Sequence, residues 1–259
     1  MKTNPFLPAL LTLSLFLLAA ACSMESADIS PDSDTGQSGS ITRFAVHNGF
    51  MYALNPNQVR TFSLENPDQP QLVHTLTTDY GLETIIIYDN TIFLGSRTAL
   101  YILDIANPAA PSILSQTERE AVLLGGCDPV VVKDSFAYAT IKIIANVCGR
   151  ISSRSALMVY DVSNRNAPVN VGIHFMSLPN GLGYKDNYLF VCDEGTDRLE
   201  VFDISNPMNV QPTYFSVAVT DPVDLIVKGD KMIVSSKTEF RFFDISNIAD
   251  IRPLGRIAK

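Results

Sequence analysis

The feature that most restricts this chain is a segment that recurs five times: an apolar run, an aspartate or its stand-in, then a turn of Ser, Asn and Pro. It reads Val59-Arg60-Thr61-Phe62-Ser63-Leu64-Glu65-Asn66-Pro67, Leu100-Tyr101-Ile102-Leu103-Asp104-Ile105-Ala106-Asn107-Pro108, Leu157-Met158-Val159-Tyr160-Asp161-Val162-Ser163-Asn164, Leu199-Glu200-Val201-Phe202-Asp203-Ile204-Ser205-Asn206-Pro207 and Phe240-Arg241-Phe242-Phe243-Asp244-Ile245-Ser246-Asn247. The position after the run falls at 63, 104, 161, 203 and 244, so a period near 41 residues is broken once, by about fifteen extra residues. No 3.6-residue apolar periodicity accompanies the repeat, which excludes stacked helix pairs. A unit of 40 to 45 residues built from short strands is the size of one propeller blade.

Each period supplies four strands. Strand a is expected at Phe44 to Val46, Thr84 to Ile87, Val130 to Val132, Leu182 to Tyr184 and Leu225 to Val227. A tight turn follows it each time, Asn48-Gly49, Asp89-Asn90, Asp134-Ser135, Asp186-Asn187 and Gly229-Asp230, made of residues that tolerate positive φ. Strand b comes next, then the recurring segment as strand c, and strand d after the turn, as in Gln71 to Leu76 and Pro253 to Ile257. The near-continuous apolar runs of strands a to c fit sheets buried on both faces between neighbours. The expected fold is all-β, a five-bladed β-propeller of four-stranded antiparallel blades spanning 41–259, with no helix.

The Val159-Tyr160-Asp161-Val162-Ser163-Asn164 and Val201-Phe202-Asp203-Ile204-Ser205-Asn206-Pro207 segments resemble the LVIVD-repeat β-propeller family of bacterial, often secreted, proteins. The resemblance covers about residues 41 to 258, with Ser63 replacing the aspartate in the first repeat, as suits a terminal unit. It implies architecture and carries no shared activity. The repeated Asp104, Asp161, Asp203 and Asp244 are read as turn builders, because an aspartate ending a strand accepts hydrogen bonds from the amides just beyond it.

Residues 1–22 read as a targeting segment: Lys2, then an uncharged apolar run from Phe6 to Ala21, ending in Leu18-Ala19-Ala20-Ala21-Cys22. That ending resembles a bacterial lipobox, with Ala19 where leucine is commonest, and implies diacylglyceryl attachment to Cys22. An ordinary signal peptide cut at an Ala-x-Ala site, with Cys22 incidental, is the alternative. Residues 23–40, rich in Ser, Asp and Gly, are expected to form a flexible tether. Ser23 after the cysteine favours sorting to the outer membrane, on its periplasmic or surface side. A formal charge of −8 with no basic stripe excludes nucleic acid as a partner.

In an antiparallel blade the start of strand a, the end of strand b and the b-to-c hairpin share one end, and strand a lines the central channel. That end is the usual ligand face of a propeller. Aligning the repeats puts Arg43, Glu83, Asp128, Asn180 and Asp224 at the channel mouth. They form a solvated rim, a ligand site, or the carboxylate set Glu83, Asp128 and Asp224 of a glycoside hydrolase or lyase. The extra residues of the third repeat, Ile141 to Ala156, stretch its b-to-c hairpin, which either brings Arg150 and Arg154 to a carboxylate of the rim or of a ligand or merely caps the barrel end.

Of the cysteines left, Cys127 and Cys148 share one end of one blade and are the expected disulfide, whereas Cys192 is expected to pack as a small apolar residue. No metal or cofactor is expected. The three histidines, His47, His74 and His174, are scattered, and the acidic Asp193, Glu194 and Asp197 fit a polar hairpin better than a calcium site. The leading expectation is a lipid-anchored, non-enzymatic binding or scaffold module of the bacterial envelope, with a protein or small-molecule ligand at the mouth. The hydrolase is its alternative.

Overall fold

The computed structural model describes residues 36–39, 42–118, 129–143 and 154–259. A short strand, β1 (Gly36–Gly39), precedes five sheets. Blade 1 is β2 (Phe44–His47), β3 (Phe50–Asn55), β4 (Gln58–Ser63) and β5 (Gln71–Thr77). Blade 2 is β6 (Leu82–Tyr88), β7 (Thr91–Ser96), β8 (Ala99–Asp104) and β9 (Ser112–Glu118). Blade 3 is β10 (Val130–Lys133), β11 (Phe136–Ile141), β12 (Ala156–Asp161) and β13 (Val169–Phe175). Blade 4 is β14 (Pro179–Lys185), β15 (Tyr188–Asp193) and β16 (Arg198–Asp203), with its outer strand split into β17 (Gln211–Pro212) and β18 (Val217–Ala218). Blade 5 is β19 (Pro222–Lys228), β20 (Lys231–Ser236), β21 (Glu239–Asp244) and β22 (Arg252–Ala258). Apart from β1, which joins the sheet of blade 4, every sheet is an antiparallel meander of strands close in sequence, and the fold is a five-bladed β-propeller.

The local chemistry repeats with the sequence. Asn48, Asp89, Asp134 and Asp186 take φ values of 48, 52, 54 and 51°, and Gly229 takes 53°, the left-handed geometry that closes a tight hairpin. At the c-to-d corner, Asp104, Asp161, Asp203 and Asp244 accept from the amides of Ala106, Ser163, Ser205 and Ser246 at 2.8–2.9 Å. Three residues on, Asn107, Asn164, Asn206 and Asn247 repeat the motif, accepting from Ala109, Asn166, Met208 and Ala249. In blade 1, Ser63 and Asn66 do the same for Glu65 and Asp68. The hydroxyls and then the amides of Ser163 and Ser246 hold the carboxyls of Asp161 and Asp244 below the ordinary aspartate range, with Lys231 adding to the second, and the amide and then the hydroxyl of Ser205 do the same for Asp203.

Alternation along each strand divides a blade into two faces. In blade 3, Ala137, Ala139, Met158 and Tyr160 pack toward blade 2, while Val131, Tyr138, Leu157 and Val159 pack toward blade 4. Four core clusters arise in this way, joining blades 1 and 2, 2 and 3, 3 and 4, and 4 and 5. None of them joins blade 5 to blade 1. The outward faces of those two blades keep an apolar pattern but stay open: Phe44, Val46 and Leu72 on blade 1 and Ile226, Leu254 and Ile257 on blade 5 are exposed. The expectation of sheets buried on both sides therefore holds for blades 2 to 4 and stops at the two end faces.

One further departure concerns the segment read as a tether. Residues 36–39 pair antiparallel with β14, the innermost strand of blade 4, and lie beside β10 and β19 within the channel. Two three-residue 3-10 turns, Pro207–Asn209 and Ile248–Asp250, are the helical pieces among the described residues.

Candidate functional site

The channel mouth is built by two recurring positions, the start of strand a and the residue that follows strand b. The last residue of strand b fixes the second position. Ser96 accepts from Ala99 N, Ser236 from Glu239 N, and the buried Asp193 from Gly195 N, Ser177 N and Leu178 N. In blades 2, 4 and 5 these bonds tie down the hairpin around the side chain that follows strand b. That side chain is Arg97, Lys142, Glu194 or Lys237 in blades 2 to 5.

The four form ion pairs rather than a field of one sign. Arg97 Nε lies 2.7 Å from Glu83 Oε1. Glu194 receives Lys142 on one carboxylate oxygen and Lys237 on the other, at 2.5 Å for the latter, and Lys237 also reaches Asp221 at 3.1 Å. Asn180 ties the network to the backbone: it accepts from Lys142 Nζ at 3.0 Å and donates to Glu194 Oε2 at 3.2 Å and to Pro222 O at 2.9 Å. Both Lys142 and Glu194 keep only 16% side-chain exposure, so water screens their pairing poorly. The two ammonium groups, Lys142 first, hold the Glu194 carboxyl down at about 2.

The residues expected at the mouth divide accordingly. Arg43 spans a seam to donate to Leu82 O at 3.3 Å. Glu83 is ion-paired as above, and its second oxygen is buried without a hydrogen-bond donor from the protein. Asp224 accepts from Leu225 N at 2.9 Å and is pressed against the backbone of Gly181, where a Cβ would stand 2.2 Å from its Oδ1. Asn180 sits at the centre of a network. Asp128, Arg150, Cys127, Cys148 and Cys22 lie outside the described residues.

Arg154, expected to meet a carboxylate, instead stands with its guanidinium 5.0 Å over the Phe175 ring. With Ile143, Met176 and Ser177 the two line a groove beside the mouth. Cys192 is fully buried in the seam between blades 4 and 5, and burial pushes its thiol well up, which makes it inert as a nucleophile. Asp193 accepts three backbone amides and Glu194 two lysine ammonium groups.

Lys142, Lys237 and Asp221 were not singled out from the sequence, and Glu194 was noted only as part of an acidic hairpin. The signal was present, since Lys142, Glu194 and Lys237 follow strand b in successive repeats, but hairpins of unequal length hide the alignment.

Fold and mouth together define a β-propeller with antiparallel blades and a charged, self-paired rim. Two stretches of it, residues 83–117 and 182–211, are matched by the family model described as LVIVD repeat. The matched stretches contain Glu83, Arg97 and Glu194 of the rim. No curated protein matches the chain.

Among solved structures, a functionally unknown protein from Desulfotomaculum acetoxidans superimposes with a TM-score of 0.65 at 9% identity, over 86% of this chain and 70% of that one. A protein from Lactobacillus plantarum does so at 0.64 and 13%, over 82% and 70%. A putative 6-phosphogluconolactonase from Bacteroides fragilis gives 0.60 and 11%, over 83% and 69%. At such identities the likeness is one of fold.

Proposed function

We propose that this domain is a non-enzymatic binding or scaffold module of the bacterial cell envelope, held by a lipid on Cys22 and offering its channel mouth to a protein or small-molecule ligand. The outer membrane is its expected site, because Ser23 follows the modified cysteine. The observation that carries the reading is the state of Glu194. With one carboxylate oxygen on Lys142 and the other on Lys237, Glu194 is engaged as an ion-pair acceptor on both sides, which favours a positioning role over a free acid or base. Glu83 is likewise committed to Arg97. The same ion pairs suit recognition, since a polar ligand exchanges partners with them one by one without leaving a bare buried charge.

The test combines capture and turnover. Residues 34–259, which keep the strand at Gly36–Gly39, immobilised and exposed to solubilised envelope of the source bacterium, should retain a ligand that a Lys142→Ala, Lys237→Ala double variant releases. Wild-type hydrolysis of a glycoside, abolished in a Glu83→Ala, Asp128→Ala, Asp224→Ala triple variant, would instead establish the hydrolase.

A further inference from the structure

The a-to-b turns gather at the pole opposite the mouth, roughly 20 Å from it across the height of a blade. Two positions of strand a recur there. Its last residue is His47, Tyr88, Lys133, Lys185 or Lys228, and the residue before that is Val46, Ile87, Val132, Tyr184 or Val227. Four blades thus carry an aliphatic side chain at the second position, and blade 4 carries a phenol.

Alternation turns Tyr184 toward blade 3, where its ring joins the apolar cluster of that seam with Tyr138. Packing accounts for the ring and leaves the hydroxyl without a structural task. Tyr184 is only 8% exposed, yet its hydroxyl makes no hydrogen bond to the described residues. Burial, with smaller contributions from Tyr88 and the Asp134 carboxylate, pushes it up to about 12, so it keeps its proton at neutral pH. The interaction with Asp134 also places the hydroxyl toward the turn of blade 3.

The seams on either side are bridged at this pole. Between blades 2 and 3, Tyr88 Oη accepts from Asp134 N at 3.1 Å. Between blades 4 and 5, Lys185 Nζ reaches Asp230 at 3.2 Å while holding Asp186 at 3.0 Å. Between blades 3 and 4 lies a cavity of about 410 Å³, lined by Lys133, Asp134, Tyr184, Asp186 and Asn187. That volume falls at the small end of the range for small-molecule sites. Its charges are matched, Lys133 with Asp134 at 2.8 Å and Lys185 with Asp186. An anion would meet two carboxylates, and a cation would have to displace a lysine from one of them. A hydroxyl group does neither, since it donates to a carboxylate while accepting from an ammonium or a phenol.

We propose that this cavity is a second binding site, separate from the mouth, for a neutral polyhydroxylated ligand of the size of one sugar ring. Tyr184 and Lys133 donate to its hydroxyls, and Asp134 and Asp186 accept from them. The two aspartates also close their hairpins, at φ 54 and 51°, so the carboxylates stand on fixed turns before a ligand arrives.

Saturation-transfer NMR on the full-length chain, in a detergent without a sugar headgroup, tests the site. The probes are glucose, galactose, mannose and N-acetylglucosamine, each free and as its methyl glycoside, which tells a free sugar from a glycan unit. At least one should bind with a Kd below about 10 mM. Tyr184→Phe, which keeps the ring, should weaken that binding about tenfold through the loss of one hydrogen bond. Asp134→Asn, which keeps a residue suited to the left-handed turn, should weaken it as well. No binding by any probe at that concentration would overturn the proposal, as would binding that survives both substitutions in variants whose circular dichroism matches the wild type. Preference for methylammonium or acetate over every sugar would overturn the neutral ligand class.

Discussion

The seam between blades 3 and 4 and the outer face of blade 5 use the same residue positions with opposite results. Val131 and Tyr138, cross-strand neighbours on blade 3, are fully buried against blade 4. Their equivalents on blade 5, Ile226 and Ile233, are cross-strand neighbours too, yet Ile226 is 51% exposed. The difference lies in what stands opposite: Leu182, Leu189 and Val191 in the first case, and no core cluster in the second. Apolar alternation makes a face fit for burial, and a neighbour converts fitness into stability.

That contrast is open to direct attack. Phe190→Ala empties a fully buried position of the seam between blades 4 and 5 and should cost about 3–5 kcal/mol in chemical denaturation, whereas Ile233→Ala at the equivalent position of blade 5 should cost less than about 1 kcal/mol. Equal losses would mean that the end face is covered in solution.

At the mouth, where seams are bridged by charge, Glu194→Gln should lose roughly 1–2 kcal/mol after allowance for the exposure of Lys237. The folded value of about 2 lies below the ordinary 4.5. The stabilisation is therefore complete above about pH 4.5 and disappears as pH falls toward 2. Wild type and variant should converge in stability at pH 2 and separate at pH 7, and a gap independent of pH would remove the ion pair from the explanation.

Asp203→Ala, which strips the corner of blade 4 of its acceptor for Ser205 N, should cost about 1 kcal/mol, read as a shift in urea midpoint at constant slope. Smallest of all, Ile226→Ser should stay within about 0.5 kcal/mol of wild type. A larger loss there would again argue for a covered face.

What the sequence disclosed follows from what is local. Turn residues such as Asp134 and Asp186, the paired corner residues Asp203 and Asn206, and the alternation of β11 act through neighbours in the chain, and all are legible in the repeat. The openness of the end faces is not, because Ile226 and Ile233 carry the same apolar signal as Val131 and Tyr138 and only the spatial neighbour distinguishes them. The role of Gly36–Gly39 is hidden for a related reason. Two glycines around Gln and Ser read as a linker, and the backbone edge of β14 that receives them has no side-chain signature.

At the mouth, Asn180 and Glu83 were visible as polar residues at the head of strand a. The partners that define their state, Lys142, Glu194 and Arg97, sit in hairpins whose unequal lengths blur the register. The sequence therefore left the rim open between a solvated ring, a ligand site and a carboxylate set, whereas the structure pairs Glu83 with Arg97 and ties Asn180 to Lys142 and Glu194.

Since every sheet is formed from successive strands, the five blades need no strand donated by the far terminus to complete any one of them. Such a chain is a nearly one-dimensional stack: loss of order starts at whichever terminal unit is weakest and advances inward, and each interior unit is protected in proportion to its distance from an end. The exception is β1, which skips three units to grip blade 4. It closes the longest loop in the molecule, and in doing so couples the fate of the first residues of the domain to the interior of the stack rather than to its fraying edge.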